Sequence, residues 1–270
     1  MMLYKIFVFF CLILTNFTSS AQGYKLLQDI SYVEKSEKDM YKQERCKLDL
    51  YFPEDKSSFA TVVWFHGGGL EEGEKYVPLE LKEKGIAVIA VNYRLSPKVK
   101  GPDYIDDAAA AVAWAFNNIA KYGGDPTKIY VSGHSAGGYL ALMVGLDVSY
   151  LKKYHIDANQ IKGLAPISGQ TNTHYTIKKE RKQSMEIPII DQYAPIHFAR
   201  KDAPPTLLIT GDARLELPAR YEENAHLAKV LENLKHSKTE LFQLQGFDHG
   251  AVYAPGCLLL LRWMEKLDRN

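Results

Sequence analysis

Short apolar runs alternate with longer mixed stretches along most of the chain. Residues 60–65 (ATVVWF), 86–91 (IAVIAV), 129–132 (IYVS), 161–167 and 206–209 (TLLI) are the apolar runs, and their pattern suits strands covered on both faces. Residues 46–52 (CKLDLYF) alternate as a half-exposed antiparallel strand should, and 240–244 is a last candidate strand. Helical stretches lie between them at 76–84, 103–122, 136–146, 219–235 and 255–266. Strand–helix alternation with a mixed start predicts an α/β fold, a mostly parallel central sheet flanked by helices. No repeat, low-complexity segment or linker interrupts the pattern, so residues 22–270 read as a single domain. One stretch, 169–198, is polar, weakly periodic and rich in Thr, Lys and Arg, with Pro188 and Pro195 inside it. A connection this long within a compact domain is usually functional or a lid.

The first residues follow a different pattern. Lys5 precedes an apolar run from Ile6 to Leu14, and the small residues Ser19, Ser20 and Ala21 follow. That order predicts a secretory signal peptide over residues 1–21, and hence a secreted or periplasmic protein. The apolar run is about half the length needed to span a bilayer, and no later segment approaches that length. Stable membrane insertion after cleavage is therefore not expected. Beyond the leader stand two cysteines, Cys46 and Cys257. Export permits a disulfide between them, but free cysteine is also a common core residue, so both readings stay open.

Composition narrows the partners. A chain of 270 residues with 46% hydrophobic content can bury a large core, so no disulfide or metal staple is required. A net charge of +1 with no basic run of five argues against nucleic acid or an anionic membrane as partner.

The strongest chemical signal is Gly133-His134-Ser135-Ala136-Gly137, preceded by an apolar strand and followed by a helix. That context makes a strand–turn–helix elbow, whose glycines allow a strained turn that exposes a serine hydroxyl as nucleophile. His134 adjoins the serine, so its side chain is expected to point away from the hydroxyl. His66-Gly67-Gly68-Gly69 follows another strand. Glycines let backbone N–H groups approach a carbonyl oxygen on which negative charge develops. The oxyanion hole is assigned to the N–H groups of Gly67 or Gly68 together with that of Ala136, while His66 is expected to orient the loop. A general base must come late in the chain, and His249, after the last strand and before the last helix, provides it.

The motifs His66-Gly67-Gly68-Gly69, Asn92-Tyr93-Arg94-Leu95-Ser96-Pro97, Gly133 to Gly138 and the late Asp248-His249-Gly250 resemble the esterase/lipase branch of the α/β hydrolases. Specifically, they are similar to the hormone-sensitive-lipase-like and feruloyl-esterase-like (BD-FAE) carboxylesterases. The resemblance implies an α/β-hydrolase fold with a small cap or none. It also implies ester hydrolysis through an acyl-enzyme on a small-molecule or oligosaccharide ester, without metal or organic cofactor. One position departs from the family pattern. The family's catalytic aspartate stands three residues after the glycine that ends its strand, and counting from Gly211 that position is Arg214. A cation cannot accept the imidazole N–H. Asp212 and Glu216 flank it on the same loop and both remain candidates for the acid. Arylformamidase or peptidase chemistry with the same residues is one alternative, and a hydrolase-like binding protein impaired by Arg214 is another.

Overall fold

The computed structural model describes residues 23–34 and 36–269, so the expected leader over 1–21 lies outside the described residues. Eight strands form one sheet in the order β1-β2-β4-β3-β5-β6-β7-β8. They are β1 (Tyr24–Ser31), β2 (Lys47–Pro53), β3 (Phe59–Phe65), β4 (Ala87–Val91), β5 (Gly124–His134), β6 (Gly163–Ile167), β7 (Thr206–Gly211) and β8 (Thr239–Leu244). β1 and β2 run antiparallel to their neighbours, and every pairing from β4 through β8 is parallel. Among the described residues, seven helices accompany the sheet: α1 (Met40–Arg45), α2 (Asp103–Asn118), α3 (Ala136–Leu146), α4 (Val148–Lys152), α5 (Tyr175–Glu180), α6 (Arg220–Asn233) and α7 (Tyr253–Arg269).

The apolar runs became strands because both faces of the sheet are covered. Side chains alternate across a strand, and β3 shows the result. Val63 and Phe65 enter one core with residues of α2, α3 and α6, while Val62 and Trp64 enter a second core with Val88, Ile167, Ile209 and α7. Every residue of α3 is buried, as an all-apolar helix should be. The two cysteines also part here. Cys46 belongs to the first core and Cys257 to the second, and both are buried free thiols. The sheet stands between them, so no bridge forms.

Three elements differ from the sequence pattern. Residues 76–84 do not form a helix; only a 3-10 turn at Leu79–Leu81 appears. Pro78 and the left-handed Gly85 bracket too few residues for a stable helix. β1 reads as polar because it is an exposed edge strand, anchored by Tyr24 stacked on Tyr51 at 4.7 Å. α1 is a single short turn set by its Asp39 N-cap, which accepts from the N–H groups of Tyr41 and Lys42.

Candidate functional site

Parallel strands send their carboxyl ends to one edge of the sheet, and the loops there gather the chemistry. Phe65 at the end of β3 is in register with Gly133 near the end of β5. The glycine loop after β3 and the turn after β5 are therefore neighbours. Ser135 is that turn, with φ 56° and ψ −117°. A non-glycine residue held in this region costs about 1–3 kcal/mol, so the surroundings must enforce it. They do so on both sides. The Ser135 N–H donates to the Ile167 carbonyl at 2.8 Å, and a Cβ on Gly137 would stand 2.0 Å from the Phe65 carbonyl oxygen. Only glycine lets α3 start this close to β3.

The Ser135 hydroxyl is 2.9 Å from His249 Nε2, and His249 Nδ1 is 2.7 Å from Glu216 Oε2. Glu216 reaches the imidazole because the chain after β7 coils back: the N–H groups of Leu215 and Glu216 both donate to the Asp212 carbonyl, at 2.8 and 2.9 Å. One turn of that kind lays the Glu216 stem against Gly211, where a Cβ would sit 3.2 Å from Glu216 Cγ. Its carboxylate is fully buried and accepts from Ser168 Oγ, from the Gly211 N–H at 3.0 Å and from the Leu217 N–H at 3.1 Å, besides His249. Burial alone would raise its pKa, but the hydrogen bonds from His249, Ser168 and Gly211 outweigh burial and lower it to about 2. The carboxylate is ionised at neutral pH.

Asp212, the other candidate acid, is elsewhere. Its carboxylate takes a two-pronged contact from the Arg214 guanidinium at 3.0 and 2.8 Å and accepts the Gly246 N–H at 3.1 Å. Arg214, its nitrogen-bonded hydrogens foremost among the causes, holds the Asp212 carboxyl well below the ordinary range. The structure does not bring Asp212 to the imidazole. The same turn that brings in Glu216 leaves the Arg214 side chain exposed.

The oxyanion-hole candidates lie close to Ser135. A Cβ on Gly67 would lie 3.5 Å from Ser135 Cβ. Ala136 is the first residue of α3, so its N–H has no acceptor within the helix. Gly68 takes φ 104° and its carbonyl accepts from the N–H groups of Glu71 and Glu72, both at 3.0 Å, which closes the loop on itself. His66 holds this loop. Its Nδ1 donates to the Gly67 carbonyl at 2.6 Å, and its ring stacks on Tyr93 at 4.4 Å. Burial lowers its pKa to about 4, which keeps it neutral.

Three supporting sets of contacts carry no signal in the sequence. Arg45, at the end of α1, is buried; it donates through Nε to the Tyr93 carbonyl at 3.0 Å, and further to Gly73 and Glu74. The segment 169–198 is a strap that grips the oxyanion loop, packed in place instead of standing apart as a cap. From α5, Thr176 Oγ1 donates to the Gly69 carbonyl and Lys179 pairs with Glu71 at 2.7 Å. His134 does point away from the serine hydroxyl, but toward the base loop: its Nε2 is 2.7 Å from the His249 carbonyl oxygen. A one-residue motif adjacent to a nucleophile carries no signal for such a contact.

Between these groups opens a cleft of about 520 Å³, lined by Gly68, Gly69, Glu71, Glu72, His134, Ser135, Tyr175, Leu217 and His249. A larger hollow, about 780 Å³, lies at the opposite edge of the sheet around Trp263 and Lys162 and holds none of the residues just described. Among the described residues no cluster of side chains is suited to a metal ion, and no helix is long and apolar enough to cross a membrane.

Comparison with known proteins gives the family and the fold. The BD-FAE family model matches residues 48–231. A probable isoprenylcysteine alpha-carbonyl methylesterase of Oryza sativa subsp. japonica is 29% identical over 239 residues, 78% of this chain and 56% of that protein. The esterase LipC of Mycobacterium tuberculosis is 28% identical over 207 residues, 70% of this chain and 50% of that protein. The chain thus spans about half the length of the curated relatives it matches. Among solved structures, a truncated carbohydrate esterase from gut microbiota superposes with a TM-score of 0.75 at 19% identity, covering 93% of this chain and 99% of that one. A thermophilic esterase from Thermogutta terrifontis gives 0.68 at 20% identity, with 92% and 95% covered. The fold is that of the α/β-hydrolase esterases.

Proposed function

The chain belongs to the BD-FAE family, and from that premise we propose that it is a serine carboxylic-ester hydrolase that works through an acyl-enzyme. The observation that carries the reading is the unbroken chain of hydrogen bonds Ser135 Oγ–His249–Glu216, at 2.9 and 2.7 Å, opening on a glycine-lined cleft. His249 takes the hydroxyl proton as Ser135 Oγ attacks the ester carbonyl carbon. The carbonyl oxygen, now negative, is stabilised by N–H groups of Gly67 or Gly68 and of Ala136. Collapse breaks the bond to the alcohol, which leaves with the proton from His249. Water then attacks the acyl-enzyme by the same route and returns free Ser135. Glu216, anionic and buried, fixes the imidazole tautomer and stabilises the imidazolium between the two proton transfers.

The reading extends to a short acyl group on a polar alcohol, because Glu71, Glu72 and the Tyr175 ring border the cleft, groups suited to hydroxyls of a sugar or another small alcohol. A carbohydrate esterase among the similar structures points the same way. The alternative of an impaired binding protein rested on Arg214, and it loses that ground once Glu216 supplies the carboxylate. Arylformamidase or peptidase chemistry has no specific observation in its favour. A secreted or periplasmic location rests on the leader pattern around Lys5 and Ala21; N-terminal sequencing of the exported protein should begin just after Ala21.

Hydrolysis of p-nitrophenyl acetate, butyrate and octanoate tests the proposal. Turnover should be highest on the two shorter esters and vanish in Ser135→Ala. Turnover equal in Ser135→Ala and the native protein would remove the serine mechanism.

A further inference from the structure

His134 stands at the end of β5, and its ring fills the space between two loops that must keep register. On one side is the oxyanion loop: a Cβ on Gly67 would lie 3.4 Å from His134 Nδ1. On the other is the base loop, where His134 Nε2 meets the His249 carbonyl oxygen at 2.7 Å and the two rings lie 4.9 Å apart, centroid to centroid. Tyr253, from α7, closes the remaining side edge-on at 6.1 Å.

The partner fixes the chemistry of the contact. A carbonyl oxygen only accepts, so His134 must carry its proton on Nε2. Burial, with the neighbouring His249 ring adding to it, lowers the His134 pKa to about 4, and the ring is neutral near pH 7. The hydrogen bond to the His249 carbonyl and then the Glu216 charge act in the opposite direction, and Arg220 in the same one as burial.

The base loop has little else to locate it against the nucleophile. Its other anchors run within itself, from the N–H groups of Gly250 and Ala251 to Asp248, or to the acid loop, through Asp212, Phe247 and the His249–Glu216 contact. Among the described residues, the His134 bond is the only hydrogen bond besides Ser135–His249 itself that joins the base loop to the strand and turn bearing the nucleophile. We infer that His134 is a positioning residue, whose Nε2–H tether to the His249 backbone holds the general base at transfer distance from Ser135. The inference rests on the serine-hydrolase reading above. The tether is needed because the Ser135–His249 bond breaks and re-forms in every cycle, whereas the backbone contact persists through both proton transfers. A loop displacement of even 1 Å at such a site can cost on the order of 100-fold in rate.

The test compares His134→Phe, which keeps ring volume and removes the donor, with His134→Gln, which keeps an N–H near the position of Nε2. With p-nitrophenyl acetate, kcat should fall about tenfold in His134→Phe with KM within about twofold, and His134→Gln should recover to within about threefold of the native rate. Equal kcat in native protein and His134→Phe, or a loss in His134→Phe that His134→Gln does not recover, would overturn the inference. A second readout is independent of turnover. Long-range ¹H–¹⁵N NMR of the histidine rings should show His134 as the neutral Nε2–H tautomer at pH 7, in native protein and in Ser135→Ala alike. A Nδ1–H tautomer or a charged ring would also overturn it. Should the native protein hydrolyse no ester, the enzymatic reading fails on its own, and the tautomer still reports whether the tether exists.

Discussion

Asp212 and Glu216 stand four residues apart on one loop, and the surrounding groups give them separate tasks. Both are anionic, and both are held below the ordinary carboxylate range. Asp212 spends its oxygens on Arg214 and on the Gly246 N–H, while its own N–H donates to the Phe247 carbonyl at 2.8 Å. It therefore laces the acid loop to the base loop without touching the imidazole. Glu216 is longer by one methylene, is folded back by the turn at Asp212, and meets His249 directly. The lesson is that the carboxylate that pairs with the histidine is chosen by which side chain a turn aims at the ring and by which donors are left over for it. Neither proximity in sequence nor charge state makes the choice. The arrangement also disposes of Arg214: at the position where a carboxylate was expected, it serves as the clamp on Asp212.

Breaking the comparison should begin at Glu216. Glu216→Gln removes the charge and offers His249 an amide that can present the wrong group, so kcat on p-nitrophenyl acetate should fall by about 10³–10⁴-fold, the scale seen when a triad acid is replaced by its amide. Glu216→Asp retains the charge but pulls it back by one methylene, and a loss on the order of 100-fold should be measured in the same assay. Asp212→Ala should cost about tenfold in kcat, because it loosens the base loop without removing the acid. Asp212→Asn keeps an acceptor for Gly246 and should stay within about threefold of the native protein.

A smaller effect appears in stability against pH. The Glu216 pKa is about 2 in the folded chain against an ordinary 4.5. A carboxyl depressed by folding binds its proton more readily when unfolded, so its contribution is fully present above about pH 4.5 and is lost as pH falls towards 2. Urea unfolding midpoints of native protein and Glu216→Gln should therefore converge between pH 5 and pH 2.5. Parallel midpoints over that range would show that the carboxylate is not held as described.

The comparison also marks what could be read from the chain. The strands from 60–65 to 206–209 were legible because short apolar runs set between helical stretches suit strands covered on both faces. Ser135, His249 and the Gly67–Gly68 loop were legible as candidates because their roles depend on local backbone: a turn between strand and helix, glycine at close approach, a loop after the last strand. The contest between Asp212 and Glu216 was not, because it is decided by i to i+4 hydrogen bonds within a loop and by donors from Ser168 and Gly211, which no periodicity reports. β1 and α1 were missed for a related reason. Each is polar and is stabilised by tertiary partners, Tyr51 for one and the Tyr93 carbonyl for the other. The helix expected over 76–84 does not form because Pro78 and the left-handed Gly85 leave too few residues between them.

The most direct test is the rate at which a fluorophosphonate modifies the protein, followed by peptide mapping, in native chain, Glu216→Gln and Asp212→Asn. The account predicts one adduct, on Ser135, formed at similar rates in native protein and Asp212→Asn and more slowly by orders of magnitude in Glu216→Gln. An adduct on another residue, or slow labelling in Asp212→Asn with Glu216→Gln unaffected, would contradict it.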